Sequence, residues 1–114
     1  MAPHYEKNMA AFIRDIRSAE HGLGIPDLLI VIATSGMMKD SSPIVQGQLA
    51  MADSKKYPKF AGNVSVVDTG KPYGADKMEF HFGEKRGHYH WHNHARSYCN
   101  IGRAMAAEML KLEK

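Results

Sequence analysis

The strongest constraint on the fold is a continuous apolar run, rich in β-branched residues, at residues 28–33. Such a run, bounded by turn residues, is typical of a strand buried on both faces in a parallel sheet. We therefore predict a first strand over residues 27–33. A similar short run predicts a second strand over residues 64–68.

Helical patterns alternate with these two strands. Apolar residues recur at helical spacing in 5–20, and Ser42 followed by Pro43 predicts the start of a helix over 44–53. The last helix is predicted over 95–112. The order α-β-α-β-loop-α predicts an α/β fold with helices covering a short parallel sheet. Because two strands are too few for such a sheet, either residues 77–83 supply a third strand or a partner chain completes the sheet.

Composition narrows the class of protein. The chain has 114 residues, which suits a single domain over 1–114, and its one cysteine, Cys99, cannot form an internal disulfide. The formal net charge is only +3, and the basic residues are scattered along the chain and form no basic stripe. Nucleic acid is therefore not an expected partner. The longest apolar run is too short to span a membrane, and the first residues lack the apolar core of a signal peptide. As given, the sequence predicts a cytoplasmic protein, or a secreted or periplasmic one if an N-terminal part was removed.

Four of the seven histidines occupy alternate positions within residues 88–94. In an extended backbone these imidazoles would share one face. Clustered imidazole serves either proton transfer or metal binding near neutral pH. The metal alternative is a zinc or copper site, although no His-Glu-x-x-His or Cys-x-x-Cys spacing accompanies the run. Its candidate ligands are His88, His90, His92 and His94.

Polar residues follow both predicted strands, where ligands usually bind in parallel α/β sheets. Ser35 comes directly after the first strand, in the kind of turn that exposes a nucleophile, and the N–H of Gly36 could stabilise an oxyanion. Asp68, at the end of the second strand, could orient a catalytic histidine; Asp76 and Glu84 are alternatives. The plainer interpretation is that Ser35 and Asp68 only form turns.

Several sequence blocks, in order over nearly the whole chain, resemble the sialate O-acetylesterase-like carbohydrate esterases of the SGNH hydrolase superfamily. The most distinctive block is Tyr89-His90-Trp91 ahead of the last helix. The others are Phe12 to Arg17, Ile25 to Leu28, Ile32 to Met37, Gln48 to Asp53, Val66 to Thr69, and Tyr98 to Gly102.

The resemblance implies a three-layer α/β/α, flavodoxin-like fold and a Ser-His-Asp hydrolase that removes acetyl groups from sugars. His90 matches the catalytic histidine of the family. The family's Gly-x-Ser-Asn-Met nucleophile block and its Gly-Glu-Ser/Asn-Asp block are absent, and Gly87 stands where the family has an aspartate. The match therefore covers the C-terminal half of the family only, which indicates a truncated or minimal form.

Together these observations predict a hydrolase of short-chain esters, including O-acetyl groups on carbohydrate, with no cofactor. Ser35 would attack the acyl carbon, His90 would move the proton with His88 as its rival, and Asp68 would orient the imidazole. Tyr89 and Trp91 would line a sugar cleft or anchor the core. The alternatives are a histidine-rich metal-binding protein or metalloenzyme, and a non-catalytic remnant of an esterase. Apolar sheet surface left open by a missing half also predicts a homo-oligomer.

Overall fold

The computed structural model describes residues 4–36, 38, 40–70 and 95–114. In chain order its elements are α1 (Tyr5–Arg17), β1 (Ile30–Ala33), α2 (Pro43–Ala50), a 3-10 turn (Pro58–Phe60), β2 (Val64–Val67) and α3 (Ala95–Leu112). The predicted α/β class is confirmed by this alternation. The possible third strand at 77–83 lies outside the described residues. No helix within the described ranges is long and apolar enough to cross a membrane.

The first helix ends at Arg17 rather than at residue 20 as predicted. Ser18 adopts an extended backbone, and its hydroxyl donates to the carbonyl of Asp15 and accepts the N–H of His21. The chain then folds back so closely that a Cβ on Gly22 would lie 2.3 Å from the Asp15 carbonyl oxygen. A serine that competes for backbone hydrogen bonds, followed by a glycine, therefore stops the helix one turn early.

The two strands form a parallel pair in which Ile30 lies beside Val64 and Ala33 beside Val67. Both strands therefore end at the same edge of the sheet. β1 begins at Ile30 and not at residue 27 as predicted. Its first backbone hydrogen bond to the neighbouring segment is from the N–H of Ile30 to the Asn63 carbonyl.

The core lies between one face of the sheet, α1 and the segment that follows α2. Its buried members are Ala10, Ile13, Ile32, Met51, Phe60 and Val64. Ile32 and Val64 belong to the same sheet face because side chains alternate along each strand. Burying these side chains is the main stabilising contribution available to so short a chain.

The last helix contacts both strands. The hydroxyl of Ser65, on the sheet face opposite to Ile32, donates to Glu108 of α3 at 2.7 Å. Glu108 is near the end of α3 and Ser65 near the start of β2, so the helix runs against the strand direction. The first turn of α3 therefore lies toward the edge where both strands end.

The second helix confirms the predicted start. Ser42 is the N-cap residue, its hydroxyl oxygen accepts the N–H of Ile44 at 3.3 Å, and Pro43 occupies the first helical position. This helix contacts α1. Its position brings Gln48 against the end of β1, which is where the candidate site is built.

Candidate functional site

The candidate site lies where the two strands end. The N–H of Thr34 donates to the carbonyl of Val67 at 2.9 Å, so the pairing extends just beyond β1. The predicted residues Ser35 and Gly36 come just after β1, and Asp68 comes just after β2. Parallel pairing thus brings all three predicted residues to one edge of the sheet.

Two buried threonines join the segments that follow β1 and β2 at this edge. Thr34 and Thr69 are 2% and 0% exposed. The N–H of Thr69 donates to Thr34 Oγ1 at 2.9 Å, and Thr69 Oγ1 donates to the Thr34 carbonyl at 2.7 Å. Because buried hydroxyls are costly unless they are hydrogen-bonded, this reciprocal pair fixes the relative position of the two turns.

Gln48 of α2 holds both the backbone and the side chain of Ser35. Its Oε1 accepts the N–H of Ser35 at 2.8 Å, and its Nε2 donates to Ser35 Oγ at 3.1 Å. The second hydrogen on Nε2 is directed to Tyr5 Oη, also at 3.1 Å. The backbone N–H fixes the orientation of the carboxamide, since a flipped amide would place two donors against each other.

This arrangement determines what the Ser35 hydroxyl can do. Its oxygen accepts a hydrogen bond from Gln48, so its own proton is not used in that contact and can be donated to a base. A donor at 3.1 Å also stabilises negative charge on Oγ. Ser35 is half-buried, and the backbone around it is held by Gln48, which is only 6% exposed.

Gly36 lies in close contact with Thr69, in the segment that follows β2. A Cβ at this position would be 2.4 Å from Thr69 Oγ1 and 2.5 Å from the Thr69 carbonyl oxygen, so only glycine fits. Its N–H donates to the carbonyl of Thr34 at 2.9 Å. To act as an oxyanion donor, the Gly36 amide would have to exchange this local bond for one to the substrate.

Asp68 is exposed and is linked to the site through Thr34. Its Oδ1 accepts the hydroxyl of Thr34 at 3.3 Å and the N–H of Gly70 at 2.9 Å. A Cβ on Gly70 would lie 3.2 Å from Asp68 Oδ1 and 3.5 Å from Asp40 Oδ1, so two carboxylates share this corner. Asp68 and Ser35 do not bond to each other; both are held by the same two turns.

The remaining predicted site residues lie outside the described residues. These are the four histidines, the two aromatic residues between them and the two alternative acids: His88, His90, His92, His94, Tyr89, Trp91, Asp76 and Glu84. Residues 71–94 join Gly70, at the carboxyl edge, to Ala95, the first residue of α3. Across the described ranges, no group of three His, Cys, Asp or Glu side chains could hold a metal ion.

Sequence reasoning missed Gln48, which connects three elements. A signal for it exists: Gln48 follows Val45 by three residues and precedes Met51 by three, so it shares a helical stripe with two buried apolar side chains. A glutamine on such a stripe must find partners for its amide in the interior. The pairing of Thr34 with Thr69 carried no comparable signal, because it depends on the strand register.

Comparisons of this chain with models of protein families, with curated proteins and with solved structures find no match in any of the three sets.

Proposed function

We propose that this chain is a hydrolase of short-chain carboxylic esters, with O-acetyl groups on carbohydrate as the substrate class that the family resemblance favours. The observation that carries the proposal is the pair of hydrogen bonds between Gln48 and Ser35, in which Gln48 accepts the Ser35 N–H and donates to Ser35 Oγ. This pair leaves a hydroxyl with a fixed oxygen, and with a proton that the contact with Gln48 does not use, at the edge of a parallel sheet where ligands usually bind.

In this mechanism Ser35 Oγ attacks the acyl carbon and its proton passes to His90. The tetrahedral intermediate collapses when the imidazolium returns that proton to the leaving alcohol, which gives an acyl-serine. Water, deprotonated by His90, then releases the acid and restores Ser35. The N–H of Gly36 would stabilise the oxyanion, and Asp68 would orient His90. Tyr89 and Trp91 would bind the sugar.

The position of His90 in the chain supports its role. It precedes Ala95 by five residues, and α3 begins toward the edge that holds Ser35. An extended segment of that length spans roughly 17 Å, so the mechanism requires Ser35 Oγ to lie within that distance of the start of α3.

The number of layers in the fold and the completion of its sheet are part of the same proposal. A core on one sheet face and α3 bonded to the other support a three-layer, flavodoxin-like arrangement. We propose that further strands complete this sheet, and that a second copy of the chain supplies them in a homo-oligomer. Light scattering tests this point, since a strictly monomeric species would exclude it.

The test of the enzyme is steady-state turnover of p-nitrophenyl acetate by the wild type, Ser35→Ala and His90→Ala, each with and without EDTA. Ser41→Ala is the matched control, since Ser41 is an exposed serine near the same edge. Cys99→Ser removes the exposed thiol, which could itself react with this ester.

Loss of turnover in both Ser35→Ala and His90→Ala, unaffected by EDTA and by the two control substitutions, would support the serine mechanism. Turnover that survives Ser35→Ala and disappears with EDTA would instead favour a zinc or copper enzyme built on His88, His90, His92 and His94. A chain that binds acetylated sugar without turnover would be a non-catalytic remnant.

A further inference from the structure

A cleft of about 560 Å³ lies at the opposite edge of the sheet, where the strands begin. Its walls come from the end of α1, the turn before β1 and the 3-10 turn. The lining residues used below are Arg14, Arg17, Ala19, Pro26, Asp27, Lys59 and Phe60. Its volume is in the range of roughly 300–1,000 Å³ typical of small-molecule sites.

The guanidinium of Arg17 is fixed in one position at the base of this cleft. Its Nε and Nη2 both donate to the Leu28 carbonyl, at 3.1 and 2.6 Å. Nη2 also donates to the carbonyl and the side-chain oxygen of Asn63, at 3.2 and 2.9 Å. Because Leu28 and Asn63 precede the two strands, the backbone of the sheet itself holds this cation.

The remaining nitrogen of Arg17 is available to a ligand. Nη1 makes no hydrogen bond with any other residue that the structure describes, and in that part of the chain no fully buried side-chain nitrogen or oxygen lacks a partner. Among the residues that the structure describes, Nη1 is therefore left open to a ligand, although Arg17 as a whole is only 8% exposed. Arg17 lines this cleft, and because its Nε and Nη2 are anchored to Leu28 and Asn63, its Nη1 is held in one position at the cleft wall.

The charges around Nη1 favour an anion. Arg14 and Lys59 also line the cleft, and Asp27 is the one carboxylate among the lining residues, so the net charge of the lining is +2. Both arginines lie over the Phe60 ring, with guanidinium carbons 5.7 and 5.6 Å from its centroid, so neither cation is neutralised by that contact. Burial lowers the pKa of Arg17 and Asp27 raises it, but a guanidinium stays protonated.

We propose that this cleft binds the phosphate group of a small organic phosphate monoester. A monoester carries close to two negative charges at neutral pH and offers three acceptor oxygens, which matches a lining of net charge +2 with three cations. Arg17 Nη1 binds one oxygen, Arg14 and Lys59 bind the others, and the organic part lies against Ala19 and Pro26. This site is separate from Ser35 and does not depend on the proposed esterase activity.

The experiment is a titration of the full chain with phenyl phosphate and, separately, with inorganic phosphate. Binding is monitored by the amide chemical shifts, and sodium chloride keeps the ionic strength constant. We expect saturable shifts near Arg17 and Phe60, with phenyl phosphate bound more tightly than inorganic phosphate. Arg14→Gln should weaken binding about threefold to tenfold, as expected for loss of one partly exposed charge. Asp27→Asn should strengthen binding, because it removes the competing carboxylate.

Lys7→Gln is the matched control, since it removes an exposed positive charge from α1 outside the cleft. Circular dichroism melts establish that each variant folds, and Lys59→Gln replaces Arg14→Gln if the latter does not. Equal weakening by Lys7→Gln, or shifts that do not saturate, would overturn the site as a specific one. Tighter binding of succinate than of phenyl phosphate would overturn the assignment to a phosphate.

Discussion

The carboxamide of Gln48 binds Ser35 twice, accepting its backbone N–H at 2.8 Å and donating to its hydroxyl oxygen at 3.1 Å. A third hydrogen bond, to Tyr5 Oη, ties the same side chain to α1. One buried amide therefore sets the position of the proposed nucleophile from two helices at once. Stability and activity should respond differently when this amide is changed.

Replacing Gln48 by leucine should lower the free energy of unfolding by about 1–3 kcal/mol, because it leaves the Ser35 N–H without an acceptor. Gln48→Glu keeps an acceptor for that N–H, but a carboxylate cannot donate to Ser35 Oγ. Ester turnover should fall in both variants. Urea denaturation and turnover measured on the same preparations test this, with Gln46→Leu as the control, which removes only an exposed hydrogen bond from α2 to the Asp40 carbonyl. Unchanged turnover in a folded Gln48→Glu would mean that the Nε2 contact has no part in catalysis.

Gly36→Ala should destabilise the protein by about 1–3 kcal/mol, the usual range for forcing an extra methyl group into a packed position. The new Cβ would lie 2.5 Å from the backbone carbonyl oxygen of Thr69, and backbone cannot move aside as a long side chain can. Thermal unfolding followed by circular dichroism measures the effect.

Gly102→Ala provides a control with the opposite sign. Gly102 is in α3 and a Cβ there meets no atom of the described residues within 4 Å, so alanine should stabilise the helix by roughly 0.5–1 kcal/mol. If both substitutions changed stability in the same direction, the contact between Gly36 and Thr69 would not be the cause of the first.

The presence and order of the strands and helices were predictable because each has a local signal: an apolar run for the strands, helical spacing or a capping residue for the helices. α3 was predicted with its observed bounds, Ala95–Leu112, and Ser42 with Pro43 marked the start of α2. The placement of Ser35, Gly36 and Asp68 at one edge followed from parallel pairing alone. The bonds of Gln48 to Ser35 and Tyr5 were not predictable, since they require the packing of α2 between β1 and α1. The partners of Arg17 were missed for the same reason: its contact with Asn63 joins residues 46 apart in the chain.

Arg17→Lys should destabilise the protein more than its conservative chemistry indicates, by about 1–3 kcal/mol. A lysine ammonium cannot bind the Leu28 carbonyl through two nitrogens while also reaching both oxygens of Asn63, as the guanidinium does. The same substitution at Arg14, an exposed position on the same helix, should change stability by less than about 0.5 kcal/mol. Equal effects at the two positions in urea denaturation would show that Arg17 contributes through its charge alone.

The contact between Glu6 and Tyr57 predicts that the stability of the fold falls at both acid and alkaline pH. Hydrogen bonds from Lys56 and from Tyr57 lower the pKa of Glu6 from its ordinary 4.5. Burial, followed by the bond to Glu6, raises the pKa of Tyr57 from 10.0 to about 12. The Glu6 contribution to stability is therefore complete above pH 4.5 and is lost as the pH falls through the lower, folded-state pKa. The Tyr57 contribution is complete below pH 10 and is lost as the pH rises toward 12.

Tyr57→Phe separates these two contributions. It should remove the alkaline loss between pH 10 and about 12, and it should also move the acid loss to higher pH, because Glu6 then keeps only Lys56 as a partner. Glu6→Gln should reduce the acid loss, and it should weaken the alkaline loss without abolishing it, since burial remains the largest cause of the raised pKa of Tyr57. Urea midpoints measured from pH 3 to pH 6 and from pH 9 to pH 12 test both variants. An acid limb in Tyr57→Phe that superimposes on that of the wild type would mean that the 2.7 Å contact between Tyr57 Oη and Glu6 Oε1 does not hold Glu6 in its charged form.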